Sequence, residues 1–169
     1  DDLATNVIAT SEVALDGQRS SVRTMETNLG NLAADSLLWQ ATELAGSFGV
    51  AAPDVALQNG GGMRNDAVIP AGDFTELDTF DILPFPNFVT VIPDIPRSQF
   101  KEIMENAVSR VEHGEGRVAQ VSGFTMDWDP NGTAQELDGD GNVTTAGSRV
   151  VNLVLDGGTV VVSGGVVAP

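Results

Sequence analysis

Three consecutive glycines, Gly60-Gly61-Gly62, stand between a short apolar run, Asp54-Val-Ala-Leu-Gln58, and Arg64. No other stretch limits the fold as tightly. Glycine has no Cβ, so it takes backbone conformations and close approaches that other residues cannot. The apolar run fits a buried strand, and the glycines fit a sharp turn at its end. Bare backbone N–H groups there would be reachable by a ligand. The planar guanidinium of Arg64 follows at once, a shape suited to gripping carboxylate or phosphate through two parallel hydrogen bonds. Further along, Phe85 stands between Pro84 and Pro86, with Asn87 next to them. Ring, amide and guanidinium together would suit a nucleotide, with stacking for the base and hydrogen bonds for the polar groups. On residue types alone, a plain loop and a core-filling Phe are the alternative. The chain has no Gly-x-x-x-x-Gly-Lys-Ser/Thr phosphate loop.

The 169 residues suit one domain with a real core. Net charge is −16, from 24 acidic residues against 8 basic ones. Such a surface repels nucleic-acid polymers and anionic membranes, although it can equally be no more than a well-solvated exterior. There is no cysteine, so disulfides and thiol nucleophiles are excluded. No stretch approaches the roughly 18 apolar residues of a membrane span. His113 is the single histidine, so no paired-histidine metal motif and no His-based catalytic triad is expected.

Periodicity predicts two long helices. The first runs from about Asn28 to Ala45, capped by Thr27 or Asn28 and ended by Gly46, with Leu29, Leu32, Ala33, Leu37, Ala41 and Leu44 on one face. The second runs from about Arg97 to Val111, with Phe100, Ile103, Met104, Ala107, Val108 and Val111 inward. A short helix follows Gly72, opened by a Thr75-x-x-Asp78 capping box. Strands are expected at Val7–Ala9, Val13–Leu15 and Phe88–Ile92. Alternation predicts more over Phe124, Met126 and Trp128, and over Val151, Leu153 and Leu155. Asp156-Gly-Gly158 should turn the last of these into a hairpin. Residues 1–22 read as a lead-in segment, and Asp129–Ser148 as a polar loop. The expected class is α+β, two long helices packed on a mixed, mostly antiparallel sheet.

Five segments in order carry a resemblance. Leu15-Asp-Gly-Gln-Arg19 precedes Val22-Arg23-Thr-Met-Glu26-Thr-Asn28-Leu-Gly30-Asn31-Leu32. Asn59-Gly-Gly-Gly-Met-Arg64 is then followed by Leu83-Pro-Phe-Pro-Asn87, and Gly116-Arg-Val-Ala-Gln120-Val-Ser-Gly123 comes last. Together they resemble the C-terminal domain of the 5′-nucleotidase family, periplasmic, cell-surface or extracellular enzymes that hydrolyse nucleotides, UDP-sugars or cyclic nucleotides. The resemblance implies that Arg23 and Arg64, with Arg19 beside them, meet the phosphate or ribose side of a substrate. It implies that Asn59 and Asn87 hydrogen-bond the nucleoside, that Phe85 stacks on the base, and that Gly61, Gly62 and Gly116 bring backbone close to the ligand. The family's second ring comes from a later segment, with a final strand and helix, that residues 1–169 do not contain. It further implies an N-terminal metallophosphatase domain holding two divalent metal ions, and no cofactor or catalytic residue in this chain. The implied role is substrate recognition; the rival is a non-catalytic surface or interaction module that keeps the fold.

Asp138, Asp140 and Asn142 alternate as in the first half of a calcium loop, but Arg149 occupies the place of the closing Glu. An acidic turn is the preferred reading.

Overall fold

The computed structural model of the chain describes residues 2–86 and 88–169. In chain order the elements are α1 (Asp2–Thr5), β1 (Val7–Ser11), β2 (Leu15–Asp16), α2 (Arg19–Val22) and α3 (Asn28–Phe48). Then come β3 (Ala56–Asn59), β4 (Val68–Ile69), β5 (Gly72–Thr75), α4 (Glu76–Ile82) and α5 (Arg97–Ala107). The C-terminal part is strand-rich: β6 (Ala119–Ser122), β7 (Phe124–Trp128), β8 (Glu136–Leu137), β9 (Val143–Thr145), β10 (Val150–Leu155), β11 (Val160–Ser163) and β12 (Val166–Val167). The class is α+β. Every described strand pair is antiparallel. The pairs form one four-stranded sheet, β12-β11-β10-β7, and four two-stranded ribbons.

Two cores result. In one, α5 lays Phe100, Met104, Ala107 and Val108 against Phe124, Val150, Leu153 and Val162 of the four-stranded sheet. Phe100 and Phe124 meet edge to face, centroids 5.2 Å apart at 73°, the arrangement that ring quadrupoles favour. In the other, Leu15, Val22, Leu29, Ala33, Met63, Phe74 and Ile82 close around the start of α3. The β3–β6 ribbon packs on α3 between them, with Gln58 opposite Gln120 in register.

Thr27 caps α3, its side chain accepting from Gly30 N. The helix runs past Gly46 and stops at Gly49, whose φ of 69° is the left-handed conformation that glycine adopts without strain. Its buried face keeps Leu29, Ala33 and Ala41 of the expected set but not Leu32 or Leu44. Leu29, Gly30, Ala33, Ala34, Ala41 and Ala45 are buried, whereas Leu32 and Leu44 are exposed. Small residues let the ribbon lie close to the helix axis, and this selects the glycine–alanine stripe over the larger side chains. The capping box forms as the sequence suggests, with Thr75 N donating to Asp78 Oδ2 at 2.7 Å. The second helix is shorter than periodicity suggests. It ends at Ala107 and continues as a separate 3-10 turn, Val111–His113, before Gly114 at φ 58°.

Three expectations are corrected. Phe88–Ile92 forms no strand; it has no partner, and Phe88 is 94% exposed. Asp129–Ser148 is not a featureless loop but contains the β8–β9 hairpin. The strand before the glycines buries only Gln58, while Leu57 opens onto an apolar groove of about 870 Å³ between α3, β3 and residues 88–95. Among the described residues no helix is long and apolar enough to cross a membrane.

A polar network ties the first core together. Glu105, 2% exposed, accepts from Arg149 N at 2.9 Å, from Val150 N at 3.1 Å and from Lys101 Nζ at 2.7 Å. Arg149 in turn donates to Val108 O and to Glu112.

Candidate functional site

The glycine run is a 3-10 turn at the end of β3. Two of its three N–H groups are already paired. Gly60 N donates to Val118 O at 2.7 Å, and Gly61 N to Gly116 O at 2.9 Å. The glycines are required by contact instead. A Cβ on Gly60 would sit 1.8 Å from Val22 O, and a Cβ on Gly116 would sit 2.7 Å from Gly61 Cα. Gly116 also has φ 87°. Three backbone segments, at Val22, Gly60–Gly61 and Gly116, thus meet where no side chain could fit. The Asn59 amide spans the same junction, its Nδ2 donating to Gly116 O at 3.3 Å.

Arginines surround this junction. Arg23 follows the single turn of α2 and is 9% exposed. One of its terminal nitrogens donates to Gly114 O at 3.1 Å, and its buried Nε has no partner among the described residues. Burial holds its pKa below the ordinary guanidinium value. The charges of Arg19 and Arg64 add to this, and Asp66 opposes it. A Cβ on Gly116 would lie 3.5 Å from the Arg23 guanidinium carbon, so Arg23 borders the glycine junction directly. Arg64 is anchored through its backbone, N donating to Ile82 O at 2.9 Å, and its side chain reaches Gly61 O at 3.3 Å. The same side chain lies over Phe85, guanidinium carbon 5.8 Å from the ring centroid, close enough for cation–π attraction. Phe85 is half exposed. Arg19 N donates to Asp66 Oδ1 at 2.8 Å.

The sequence offers each of these arginines many carboxylates, so surface ion pairs were the simple alternative. Among the described residues the ion pairs are Lys101–Glu105, Arg117–Glu115 and Arg149–Glu112; none uses Arg19, Arg23 or Arg64. A buried guanidinium Nε–H without an acceptor among the described residues, with Arg64 at the same glycine junction, has the donor chemistry that suits an anionic oxygen.

The structure therefore brings together Arg23, Asn59, Gly61, Gly62, Arg64, Phe85 and Gly116. Asn87 lies outside the described residues. Asp66 and Gln120 belong to the same construction, and sequence reasoning did not assign them a role. The signal for Gln120 was present: in β6 the buried positions alternate, and Gln120 falls on the inward set with Ser122, where an unpartnered amide would be costly.

The acidic turn is separate. Asp138 Oδ1 accepts from Asp140 N at 2.9 Å and from Asn142 N at 2.8 Å, folding the tip of the β8–β9 hairpin. Hydrogen bonds from the Asn142 side chain and then its backbone hold the Asp138 carboxyl below its ordinary pKa. Among the described residues no group of three or more His, Asp or Glu side chains is arranged to hold a metal ion.

A family model described as 5′-nucleotidase, C-terminal domain, matches residues 7–165. The trifunctional nucleotide phosphoesterase protein YfkN of Bacillus subtilis is 40% identical over 141 residues, 81% of this chain and 9% of that protein. A 5′-nucleotidase of Vibrio parahaemolyticus is 33% identical over 119 residues, 70% of this chain and 19% of that protein. In the crystal structure of a 5′-nucleotidase precursor from Thermus thermophilus, 27% of the chain superposes on 93% of this one, with TM-score 0.72 and 36% identity. The chain thus spans a minor part of each relative's length.

Proposed function

The chain belongs to the 5′-nucleotidase C-terminal domain family, and on that premise we propose that it is the nucleotide-holding domain of a secreted or periplasmic phosphoester hydrolase. The observation that carries the reading is that the Arg23 and Arg64 side chains both reach the glycine junction, that among the described residues neither forms an ion pair, and that Arg64 lies over the half-exposed ring of Phe85. Arg23 is held by burial and by Gly114 O, which leaves its Nε edge for an anionic oxygen. Arg64 supplies a second cation from the other side. Phe85 offers a ring face to the base, and the Asn59 amide and Asn87 supply polar contacts to the nucleoside. Gly61, Gly62 and Gly116 keep the floor of the site low enough for a ligand to approach.

The two divalent metal ions that the family resemblance implies would supply an activated water and neutralise phosphoryl charge, from residues outside this chain. The part played here is orientation, which converts an encounter into a positioned reaction.

Calorimetric titration of AMP into the chain tests this. The expected result is saturable binding that Arg23→Ala and Arg64→Ala each weaken at unchanged melting temperature. The chain alone, given divalent metals, should release no phosphate from AMP. Absence of AMP binding would favour the interaction-module reading. Metal-dependent phosphate release surviving repurification would place catalysis inside these residues and overturn the division of labour.

A further inference from the structure

Gln120 touches no ligand-facing group, yet it is fully buried and its amide is given wholly to one neighbouring segment. Its Nε2 donates to Val22 O at 3.0 Å and to Met25 O at 2.8 Å, and its Oε1 accepts from Thr27 N at 3.0 Å. Those three partners bracket Arg23 in the chain. The first turn of α3 closes the other side: a Cβ on Gly30 would lie 2.0 Å from Oε1. Val22 O is also the atom against which Gly60 is packed. Four residues before Gln120 on the same stretch of chain, Gly116 O receives Gly61 N and the Asn59 amide. One stretch, 116–120, therefore sets both the height of the glycine junction and the backbone that carries Arg23.

We propose that Gln120 is a positioning residue for anion recognition: its amide is a strut that holds residues 22–27 so that the Arg23 guanidinium meets the phosphate side of a nucleotide. This rests on the function proposed above. A glutamine that served stability alone would affect every ligand equally and would be indifferent to Arg23. A strut for Arg23 acts on anionic ligands and falls silent once Arg23 is removed.

The test is a double-mutant cycle on the chain, with AMP and adenosine as ligands in calorimetry. The proteins are the wild type, Gln120→Met, Arg23→Ala and the double variant. Met keeps the volume and removes the amide. Gln120→Met should lower AMP affinity about tenfold and adenosine affinity by less than about threefold, and should cost under about twofold in the Arg23→Ala background. Equal losses for both ligands, or the whole loss persisting without Arg23, would overturn the proposal. Should Gln120→Met fail to fold, Gly30→Ala takes its place, because Ala suits a helix while its methyl displaces the same amide. The same criteria apply to it. A wild-type chain that binds neither ligand refutes the nucleotide reading instead. The Arg23 Nε–H resonance then judges the strut: movement in the Gln120 variant supports it, and an unmoved resonance overturns it.

Discussion

Arg64 lies over the ring of Phe85, its guanidinium carbon 5.8 Å from the centroid. The cation and the aromatic face are therefore one unit, although their segments reach the site separately. Arg64 is fixed by its backbone to Ile82, and Phe85 sits just beyond the end of α4. A base that stacks on this ring does so on the face opposite the cation, or displaces it.

Removing the ring therefore has a selective cost. Base–aromatic stacking is worth about 1 to 3 kcal/mol, so Phe85→Ala should weaken AMP binding by about tenfold or more. Affinity for a base-free ester such as p-nitrophenyl phosphate should scarcely change. The ring is half exposed, so melting temperature should hold. Calorimetry with both ligands checks this; unchanged AMP affinity would make Phe85 a cover for Arg64 and nothing more.

Two glycine substitutions should act in opposite directions. At Gly60 a methyl would meet the Val22 carbonyl, a backbone atom that cannot swing away. Gly60→Ala should cost more than about 2 kcal/mol, in the range of overpacked sites, and should displace Arg23 as well. Gly46 lies inside α3, and its Cβ would meet nothing within 4 Å. Gly46→Ala should stabilise by about 0.5 to 1 kcal/mol through helix propensity and lower unfolded-state entropy. Urea midpoints of the two variants decide both.

Glu105 carries the joint between α5 and β10. Its carboxylate receives two buried backbone N–H groups, Arg149 N and Val150 N. Glu105→Ala should cost about 3 to 5 kcal/mol, because it leaves both backbone donors and the Lys101 ammonium without their partner. Glu105→Gln, which keeps one acceptor, should cost less. Since the joint packs with the α5 core while Arg23 and Arg64 reach the glycine junction, whatever fraction stays folded should bind AMP normally.

Acid should loosen the same region. The Arg149 side chain, foremost among several groups, holds the Glu112 carboxyl below its ordinary pKa. A depressed folded-state pKa means the contribution is complete above the ordinary carboxylate range and is lost as pH falls through the lower, folded value. Glu112→Gln should lower stability at about pH 7 and should flatten the decline toward about pH 3. A variant with the wild-type acid profile would show that the pair adds nothing to stability; half of the Glu112 side chain is solvent-exposed, so the effect is modest.

Local chemistry was legible in the sequence. The Thr27 cap, the Thr75–Asp78 box and the strand over Phe124, Met126 and Trp128 each follow from neighbours within a few residues. Features set by distant contacts were not. Apolar periodicity favoured Leu32 and Leu44 on the buried face of α3, but the closeness of the β3–β6 ribbon decided for Gly30, Ala34 and Ala45. Phe88–Ile92 has strand-like composition but no partner along the chain. The glycines read as exposed backbone and prove to be points of backbone contact. The candidate arginines were singled out by residue type and motif, while Asp66 carries no sequence mark and Gln120 was given no role, although it lies in the Gly116–Gly123 segment and in an inward register.

Gln58 faces Gln120 and Asn59 faces Ala119 across the β3–β6 ladder, and that pairing fixes where the chain tolerates a change of length. Side chains alternate along a strand, so one residue added between Gly116 and Gln120 would turn the amide away from the segment it holds. The Asp138–Asn142 tip stands at the far end of an exposed hairpin, and a Cβ at Gly139 or Gly141 would meet nothing within 4 Å. A peptide tag, or a whole foreign domain, can be spliced there and leave the arginines where they are.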